Sequence, residues 1–415
     1  PLNGETFFKD VYRLPEGHYY TYKDGKLDIQ QYWDADFETK ETHSRQEWIE
    51  KIDETVQASI EAHTVSDVEV GSFLSSGVDS SYVTSVLKPD HSFSIGFDDK
   101  TYNEAIEARK LTELLDLDNT AAVIDGDMSF KAFPLIQYHL DEPDSNPSCV
   151  PLYFLANLAS QSVRVVQSGE GADELFAGYQ TYGFHTNSKF IRVIAQGLKK
   201  LPKGTRYNLG RKIGKMKNFH GRIHLYESLA PAKEYFIGHA RVFEESEASE
   251  VLTPKYQTAP SVDEIMTVHY EKTEGIKDEV NKMQYVDLHQ WMPKDILLKA
   301  DKLSMASSLE VRVPLLDIEV MKLAQQIPSK FLLNQNNTKD IFRQAANKHL
   351  PEKWSNRVKL GFPVPIKAWL KEEHGYEQVK ALFEADFAKE FFDQEKIMKL
   401  LDDHHEGRKE EQRKI

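Results

Sequence analysis

Serine, glycine and aspartate crowd a short segment that follows an apolar run. Residues 68–74 predict a buried strand, 75–77 a small-residue loop, and 78–83 the first turns of a helix. Such a junction offers unpaired backbone N–H groups and a positive helix end, so it can hold a phosphate or pyrophosphate. Further donors are the hydroxyls of Ser75, Ser76, Ser80 and Ser81. The anion Asp79 fits such a site if it holds a magnesium ion that the phosphates also bind.

This stretch resembles the pyrophosphate loop, S-G-G-x-D-S, of enzymes that adenylate a substrate and release pyrophosphate. It departs from that pattern at Ser76, which replaces the first glycine. Serine is costly there if the position needs a positive φ, and it adds a donor if not. The alternative is an ordinary strand-to-helix turn that is rich in serine. A Walker A loop is excluded because no Gly-Lys-Ser/Thr follows.

A second segment of this kind, residues 168–179, reads SGEGADELFAGY. Its two leading glycines would let the backbone approach a ligand closely. The carboxylates of Glu170, Asp173 and Glu174 crowd a predicted helix start, which is unfavourable unless a cation or a reaction uses them. The alternative is a first helical turn that is enriched in acids because of the helix dipole.

The elements around these segments alternate between strand and helix. Strands are predicted at 91–97, 120–124 and 163–167, with helices at 103–117, 130–140 and 152–161 between them. This order predicts an α/β fold with a doubly wound parallel sheet, in which ligands bind at the carboxyl ends of the strands. Upstream, residues 19–33 predict a hairpin about an Asp-Gly turn, and Ser44 with Glu47 predicts a capping box that opens an amphipathic helix.

Taken together, these segments resemble the synthetase domain of glutamine-dependent asparagine synthetase. The resemblance extends over residues 75–81, 93–97, 168–179, 301–317, 338–343 and 356–365, and so covers almost the whole chain. It implies the fold of the pyrophosphate-loop ATPases, which is like that of the adenine nucleotide alpha hydrolases, with a largely helical C-terminal half. It also implies that residues 1–36 are the remnant of a glutaminase domain and linker, 37–190 the nucleotide-binding core, and 191–415 a helical part that is truncated at its end.

The resemblance assigns roles to particular residues. Glu170 matches the base that accepts a proton from ammonia, and Lys359 the lysine that meets the charge growing on the α-phosphate. Asp79 and Asp173 match magnesium ligands. The positions that match contacts to ATP are Phe73, Leu74, Ser75, Ser76, Gly77, Asp79, Ser80, Ser81, Ile95, Ser168, Gly169 and Lys339.

The implied reaction is the ATP-dependent amidation of a carboxylate, foremost the side chain of L-aspartate, to give asparagine, AMP and pyrophosphate. One alternative is the amidation of another carboxylate, such as diaminopimelate in a cell-wall precursor. This alternative stays open because residues 141–151 contain no arginine, where several family members carry one. Arg312 or Arg343 could supply that cation. The other alternative is a nucleotide-binding module without catalysis.

Composition bounds the partners. With 52 Lys and Arg against 66 Asp and Glu, the net charge is −14, which argues against nucleic-acid binding, and no apolar run is long enough for a membrane span. The single cysteine, Cys149, predicts a reducing compartment, and we expect a cytoplasmic location. The resemblance implies that ammonia is released from glutamine by an N-terminal cysteine whose own α-amino group acts as the base. Cys149 lies within the chain and has no such group, so ammonia is expected from the glutaminase domain of the same full-length chain. A homodimer stays open.

Overall fold

The computed structural model describes residues 4–37, 41–99, 103–183, 189–198, 200–214, 216, 221–239, 242–334, 337–357 and 364–415. Its strands are β1 (His18–Lys23), β2 (Lys26–Gln31), β3 (Val70–Phe73), β4 (Ser92–Phe97), β5 (Asn119–Ile124), β6 (Val165–Gln167) and β7 (Glu310–Arg312).

The helices up to residue 251 are α1 (Arg45–Ala62), α2 (Val78–Leu87), α3 (Ala105–Leu115), α4 (Gly126–Leu140), α5 (Cys149–Ser160), α6 (Ala172–Leu175), α7 (Lys189–Leu198), α8 (Lys203–Gly214), α9 (Arg222–Leu229) and α10 (Glu245–Val251). Those that follow are α11 (Val262–Glu271), α12 (Glu279–His289), α13 (Leu297–Met305), α14 (Ile318–Gln326), α15 (Ser329–Leu332), α16 (Asp340–Ala346), α17 (Glu352–Ser355), α18 (Ile366–Trp369), α19 (Glu373–Phe383), α20 (Ala388–Phe391) and α21 (Gln394–His405). A π-helical segment, Met292–Ile296, leads into α13.

Five parallel strands form the central sheet in the order β5-β4-β3-β6-β7. The predicted doubly wound α/β fold and the helical C-terminal half are confirmed. The sequence did not indicate β7, which comes from the C-terminal half of the chain and pairs with β6. At three residues, β7 is too short for a recognisable alternation of apolar and polar side chains. The division of the chain at residues 36 and 190 stays a prediction.

Helices cover both faces of this sheet. Phe73 and Leu74 are neighbours at the end of β3 and point to opposite faces, each into a different apolar cluster. The cluster around Leu74 contains residues of α1, α2, α12, α14 and α16. The cluster around Phe73 contains residues of α4, α5 and α13 together with Trp369. The two layers fix the strand ends from both sides.

Local signals in the N-terminal part are confirmed. Ser44 Oγ accepts the Glu47 amide at 3.3 Å, and the Glu47 carboxylate accepts the Ser44 amide at 2.7 Å, which is the predicted capping box of α1. In the hairpin, β1 pairs antiparallel with β2, and Asp24 and Gly25 both have positive φ, as a tight two-residue turn requires. None of the helices in the part of the chain that the structure describes is long and apolar enough to cross a membrane.

Candidate active site

The loop between β3 and α2 is closed by its own hydroxyl groups. Ser80 Oγ accepts the Ser75 amide at 3.0 Å, Ser75 Oγ accepts the Gly77 amide at 3.1 Å, and the two hydroxyl oxygens lie 2.8 Å apart. The Ser81 amide makes the first bond of the helix, to Gly77 O at 3.1 Å. The amides before Ser81 therefore make no bond inside α2, so the junction has the donor groups that an anion site needs.

Ser76 does not strain this loop. It is absent from the positive-φ residues, so the position does not require glycine. Its buried hydroxyl donates to Glu104 Oε1 at 3.1 Å, and burial raises the pKa of Glu104. The serine thus ties the loop to the start of α3. In this structure its hydroxyl points at a carboxyl group, which distinguishes it from Ser75 and Ser80.

The loop between β6 and α6 packs against the first loop, backbone to backbone. A Cβ atom added to Gly169 would lie 2.4 Å from the Ser80 nitrogen and 2.6 Å from the Asp79 carbonyl carbon. Only glycine allows this approach. At Gly171 the backbone has φ +94°, and α6 begins at the next residue. The two segments singled out in the sequence therefore form one site.

Lys339 joins the two loops electrostatically. Its ammonium lies 2.7 Å from both carboxylate oxygens of Asp79 and 2.7 Å from Asp173 Oδ1. The lysine is fully buried at the start of α16, with φ +55°. Burial acts to lower the pKa of Lys339, but the charges of Asp173 and Asp79 outweigh it and raise the pKa. The ammonium is therefore held charged between two carboxylates that come from different loops.

The three acids of the second loop have separate surroundings. Asp173 contacts Lys339, whereas Glu174 is buried and accepts the Tyr179 hydroxyl at 2.6 Å. Burial, and next the charge of Asp173, raises the pKa of Glu174 to about 8. The repulsion between these carboxylates is thus reduced, because Lys339 pairs with Asp173 and the raised pKa of Glu174 favours its neutral form.

Glu170 has the properties of a proton acceptor. Burial raises the pKa of its carboxyl group to about 7, with the nearby charges of Lys299 and Asp295 acting in opposite directions. Its Oε2 atom is buried and has no hydrogen-bond partner among the described residues, while its amide donates to Ser168 Oγ at 3.3 Å. A carboxyl group with a pKa near neutrality and a spare lone pair can exchange a proton with a bound molecule.

Asp79 and Asp173 are suited to bind Mg²⁺ together with the phosphate groups of a nucleotide. Both carboxylates reach the same ammonium group, so their oxygens lie within two hydrogen-bond lengths of each other. Two carboxylates with phosphate and water are the usual donor set of Mg²⁺. Among the described residues no group of three or more His, Cys, Asp or Glu could hold a metal, so phosphate and water would have to complete the set.

The residues that match the adenosine contacts lie in the core beside the loops. The side chains of Phe73 and Ile95 pack in one apolar cluster and that of Leu74 in the other. The Leu74 amide binds Phe93 O at 2.9 Å, and the Ser168 amide binds Arg312 O at 2.9 Å. Because these side chains pack in the core, the contacts of Phe73, Leu74 and Ile95 to a nucleotide stay a prediction. Ser81 is fully buried, and its hydroxyl has no hydrogen-bond partner among the described residues.

The hydrogen bonds of both arginines proposed as a substrate cation go to other groups of this chain. Arg343 is buried and donates to the carbonyls of Thr338, Ser355 and Arg357 at 2.7–2.9 Å. Arg312 donates to Glu310 and to two carbonyl groups at the end of α1. Arg343 thereby fixes the segment that precedes Lys359. Lys359 itself lies outside the described residues.

Some residues of the site were not singled out in the sequence. Glu104 follows the carboxyl end of β4, so the rule that pointed to the loops after β3 and β6 could have found it. Lys299 and Asp295, whose charges act on Glu170, lie in and before α13 and carry no local signal. Cys149 is fully buried, and burial raises the pKa of its thiol to about 12, which is unlike a nucleophile.

Comparison with known proteins agrees with this geometry. The asparagine synthase family model matches residues 51–415. Asparagine synthetase [glutamine-hydrolyzing] 1 of Bacillus subtilis is 36% identical over 98% of this chain and 63% of its own length. A putative asparagine synthetase [glutamine-hydrolyzing] of Mycobacterium bovis is 33% identical over 88% of this chain and 56% of its own length.

A solved structure of NMN synthetase from Francisella tularensis covers 57% of this chain and 97% of its own, with a TM-score of 0.25 and 14% identity. The chain spans about three fifths of the length of the curated relatives it matches. The family match extends over most of the chain and includes both loops, Lys339 and Glu170. The chain therefore belongs to the asparagine synthase family.

Proposed function

We propose that the chain is the synthetase part of an ATP-dependent amide ligase that converts the side-chain carboxylate of L-aspartate into the amide of asparagine. One observation carries the proposal. Asp79 and Asp173, from the two loops, meet at the ammonium of Lys339, and Glu170 lies on the same short loop with a pKa near 7. Phosphate donors, a cation, metal-type carboxylates and a base are thus assembled at the carboxyl ends of β3 and β6.

In the first step, a carboxylate oxygen of the substrate attacks the α-phosphorus of ATP, and the bond from that phosphorus to the bridging oxygen breaks. Pyrophosphate leaves, and an acyl-adenylate remains. The amides at the start of α2 and the hydroxyls of Ser75 and Ser80 would bind the leaving pyrophosphate. Asp79 and Asp173 would hold Mg²⁺, which supplies positive charge against that group. Lys339 would keep the two loops together as charge moves.

In the second step, ammonia attacks the acyl carbon, the bond to AMP breaks, and one ammonia proton must be removed. Glu170 accepts it, because a carboxylate with a raised pKa is a better base than an ordinary one. Lys359 is proposed to meet the charge on the α-phosphate during adenylation. That role rests on the match of residues 356–365 to the family pattern.

The ammonia is proposed to come from a glutaminase domain of the same full-length chain. Both relatives described above are named glutamine-hydrolyzing and are longer than this chain. The buried thiol of Cys149 is unsuited to that chemistry. Free ammonium should therefore replace glutamine in assays of this chain.

The test is pyrophosphate release from magnesium-ATP and ammonium, with L-aspartate in one reaction and other carboxylates, including diaminopimelate, in the rest. Release with L-aspartate, matched by AMP and asparagine and abolished by Asp79→Asn, is the expected result. Release with another carboxylate alone would change the substrate. ATP binding by calorimetry without release from any carboxylate would favour the nucleotide-binding module.

A further inference from the structure

Lys299 is a buried cation to which the proposed chemistry assigns no role. Its side chain is 4% exposed, and its ammonium lies 2.6 Å from Asp295 Oδ1, one turn earlier in the chain. Asp295 belongs to the π-helical segment Met292–Ile296. Short π-helical segments occur frequently at functional sites, and a buried ion pair loses hydration energy that its attraction need not restore. Stability alone is therefore a weak reason for this pair.

The loop between α4 and α5 meets this ion pair. Asn146 Nδ2 donates to Asp295 Oδ1 at 2.8 Å. Two residues earlier, Asp144 is held by Gln137, which accepts its amide and donates to its carbonyl, both at 2.9 Å. Asp144 Oδ2 is buried without a hydrogen-bond partner among the described residues. Burial, and next the charge of Asp295, raises the pKa of Asp144 to about 6.

The same ion pair lies within electrostatic reach of Glu170, since the charges of Lys299 and Asp295 act on its carboxyl group. Asp295 is bonded to the Lys299 ammonium, whereas Asp144 and Glu170 each keep one buried carboxyl oxygen without a partner among the described residues. A lysine ammonium has three donors, and one of them points at Asp295. The cluster therefore has hydrogen-bond donors and acceptors for a ligand that binds near Glu170.

We propose that Lys299 and Asp144 bind the α-carboxylate and the α-ammonium group of the substrate and so determine the specificity of the site for an amino acid. The inference rests on the proposed function. The α-carboxylate and α-ammonium groups together add no net charge to the cluster. The carboxylate can accept from the remaining donors of Lys299, and the ammonium can donate to Asp144 Oδ2. Residues 141–151 contain no basic side chain, so the cation for an α-carboxylate must come from another element, and Lys299 is joined to this loop through Asp295 and Asn146.

The experiment uses two analogues that each lack one group of L-aspartate. Succinate lacks the ammonium group and β-alanine lacks the α-carboxylate. Lys299→Met should raise the KM for L-aspartate in pyrophosphate release about 10-fold or more, because a hydrogen bond to a charged group is lost. The KM for β-alanine should not change. Asp144→Asn should raise the KM for L-aspartate and leave that for succinate unchanged.

Lys302→Met is the control, since Lys302 lies on the same helix, is partly exposed and pairs with Asp141 instead of Asp295. It should leave every KM unchanged. Lys299→Arg should restore part of the affinity, as retention of the charge predicts. Thermal unfolding midpoints and ATP binding separate lost substrate contacts from lost structure. Equal increases in KM for L-aspartate and β-alanine in Lys299→Met would make Lys299 a structural residue and overturn the proposal.

Binding of L-aspartate by calorimetry decides the matter without catalysis. The inference is supported if the wild-type chain binds L-aspartate, Lys299→Met weakens this binding and Lys302→Met does not. This holds even if no carboxylate gives pyrophosphate and the proposed function fails. A wild-type chain that does not bind L-aspartate, or a Lys299→Met variant that binds it as tightly as wild type, overturns the inference.

Discussion

The ammonium of Lys339 lies 2.7 Å from both carboxylate oxygens of Asp79, although 260 positions separate the two residues in the chain. Asp173 shares the same ammonium from the other loop. The site is therefore closed by a residue of the C-terminal half, and its two loops are joined through a buried cation. This arrangement makes the stability of the loops depend on the charge of one side chain.

Lys339→Met should lower the free energy of unfolding by about 3–5 kcal/mol, because it removes a fully buried cation from two largely buried carboxylates. Added Mg²⁺ should restore more stability to the variant than to the wild type, since the Lys339 ammonium no longer competes with the ion for the two carboxylates. Denaturant unfolding with and without MgCl₂ measures both effects. Lys322→Met removes an exposed pair with Glu319 and should change stability by about 0–1 kcal/mol. A Lys339→Met variant of wild-type stability in magnesium-free buffer would contradict the buried bridge.

Gly169→Ala should separate the two loops, since its Cβ would lie 2.4 Å from the Ser80 nitrogen. We expect a loss of about 100-fold in the rate of pyrophosphate release, as a displacement of reacting groups by about 1 Å can cause. Gly204→Ala is the control, because a Cβ there meets no atom within 4 Å. It should be as active as wild type. Single-turnover kinetics gives the rate, and an undiminished rate in Gly169→Ala would show that the loops can move apart without loss.

Glu170 should impose a pH dependence on the ammonia step. Its pKa is raised to about 7, so the carboxylate form grows as the pH rises through 7. Amide formation at a constant concentration of free NH₃ should rise over the same interval, and Glu170→Gln should remove this rise and slow the amide step more than adenylation. A pH profile of wild type and variant tests the assignment, and identical profiles would exclude Glu170 as the base.

The same shift in pKa predicts a stability effect with a definite sign. The native state keeps Glu170 protonated up to about pH 7, whereas the unfolded chain releases this proton near the ordinary value of 4.5. Between these values the native state binds more protons, so this residue makes the protein less stable as the pH rises. Relative to wild type, Glu170→Gln should therefore gain stability between pH 5 and pH 8 in denaturant titrations at the two values.

Arg343→Lys should reduce adenylation more than ATP binding. The guanidinium holds three carbonyl groups, including that of Arg357 just before the segment with Lys359, and a lysine cannot reach all of them. We expect kcat for pyrophosphate release to fall about 10-fold or more with a smaller change in the Kd of ATP. Arg312→Lys, which loosens carbonyl contacts at the end of α1, should leave kcat near the wild-type value. Equal kcat values in the two variants would contradict the special role of Arg343.

Much of the fold could be predicted because its signals are local. The capping box of Ser44 and Glu47, the Asp24-Gly25 turn and the alternation of strands and helices depend on residues within a few positions of one another. The rule that loops at the carboxyl ends of parallel strands meet also placed Ser75 and Ser168 correctly on one edge. Glu104 obeys the same rule and was overlooked, and β7 was too short to show a pattern.

By itself, the sequence determined the two loops, their glycines and the acids they carry, because turn chemistry and helix starts follow from neighbouring residues. Only the tertiary structure decided which cation each acid meets. Lys339 lies between Asp79 and Asp173, Lys299 lies beside Asp295, and Arg343 binds backbone carbonyls. Such partners are set by which helix faces pack on the sheet, and the residues concerned are far apart in the chain. The partner of a basic side chain therefore cannot be predicted from the neighbouring sequence alone.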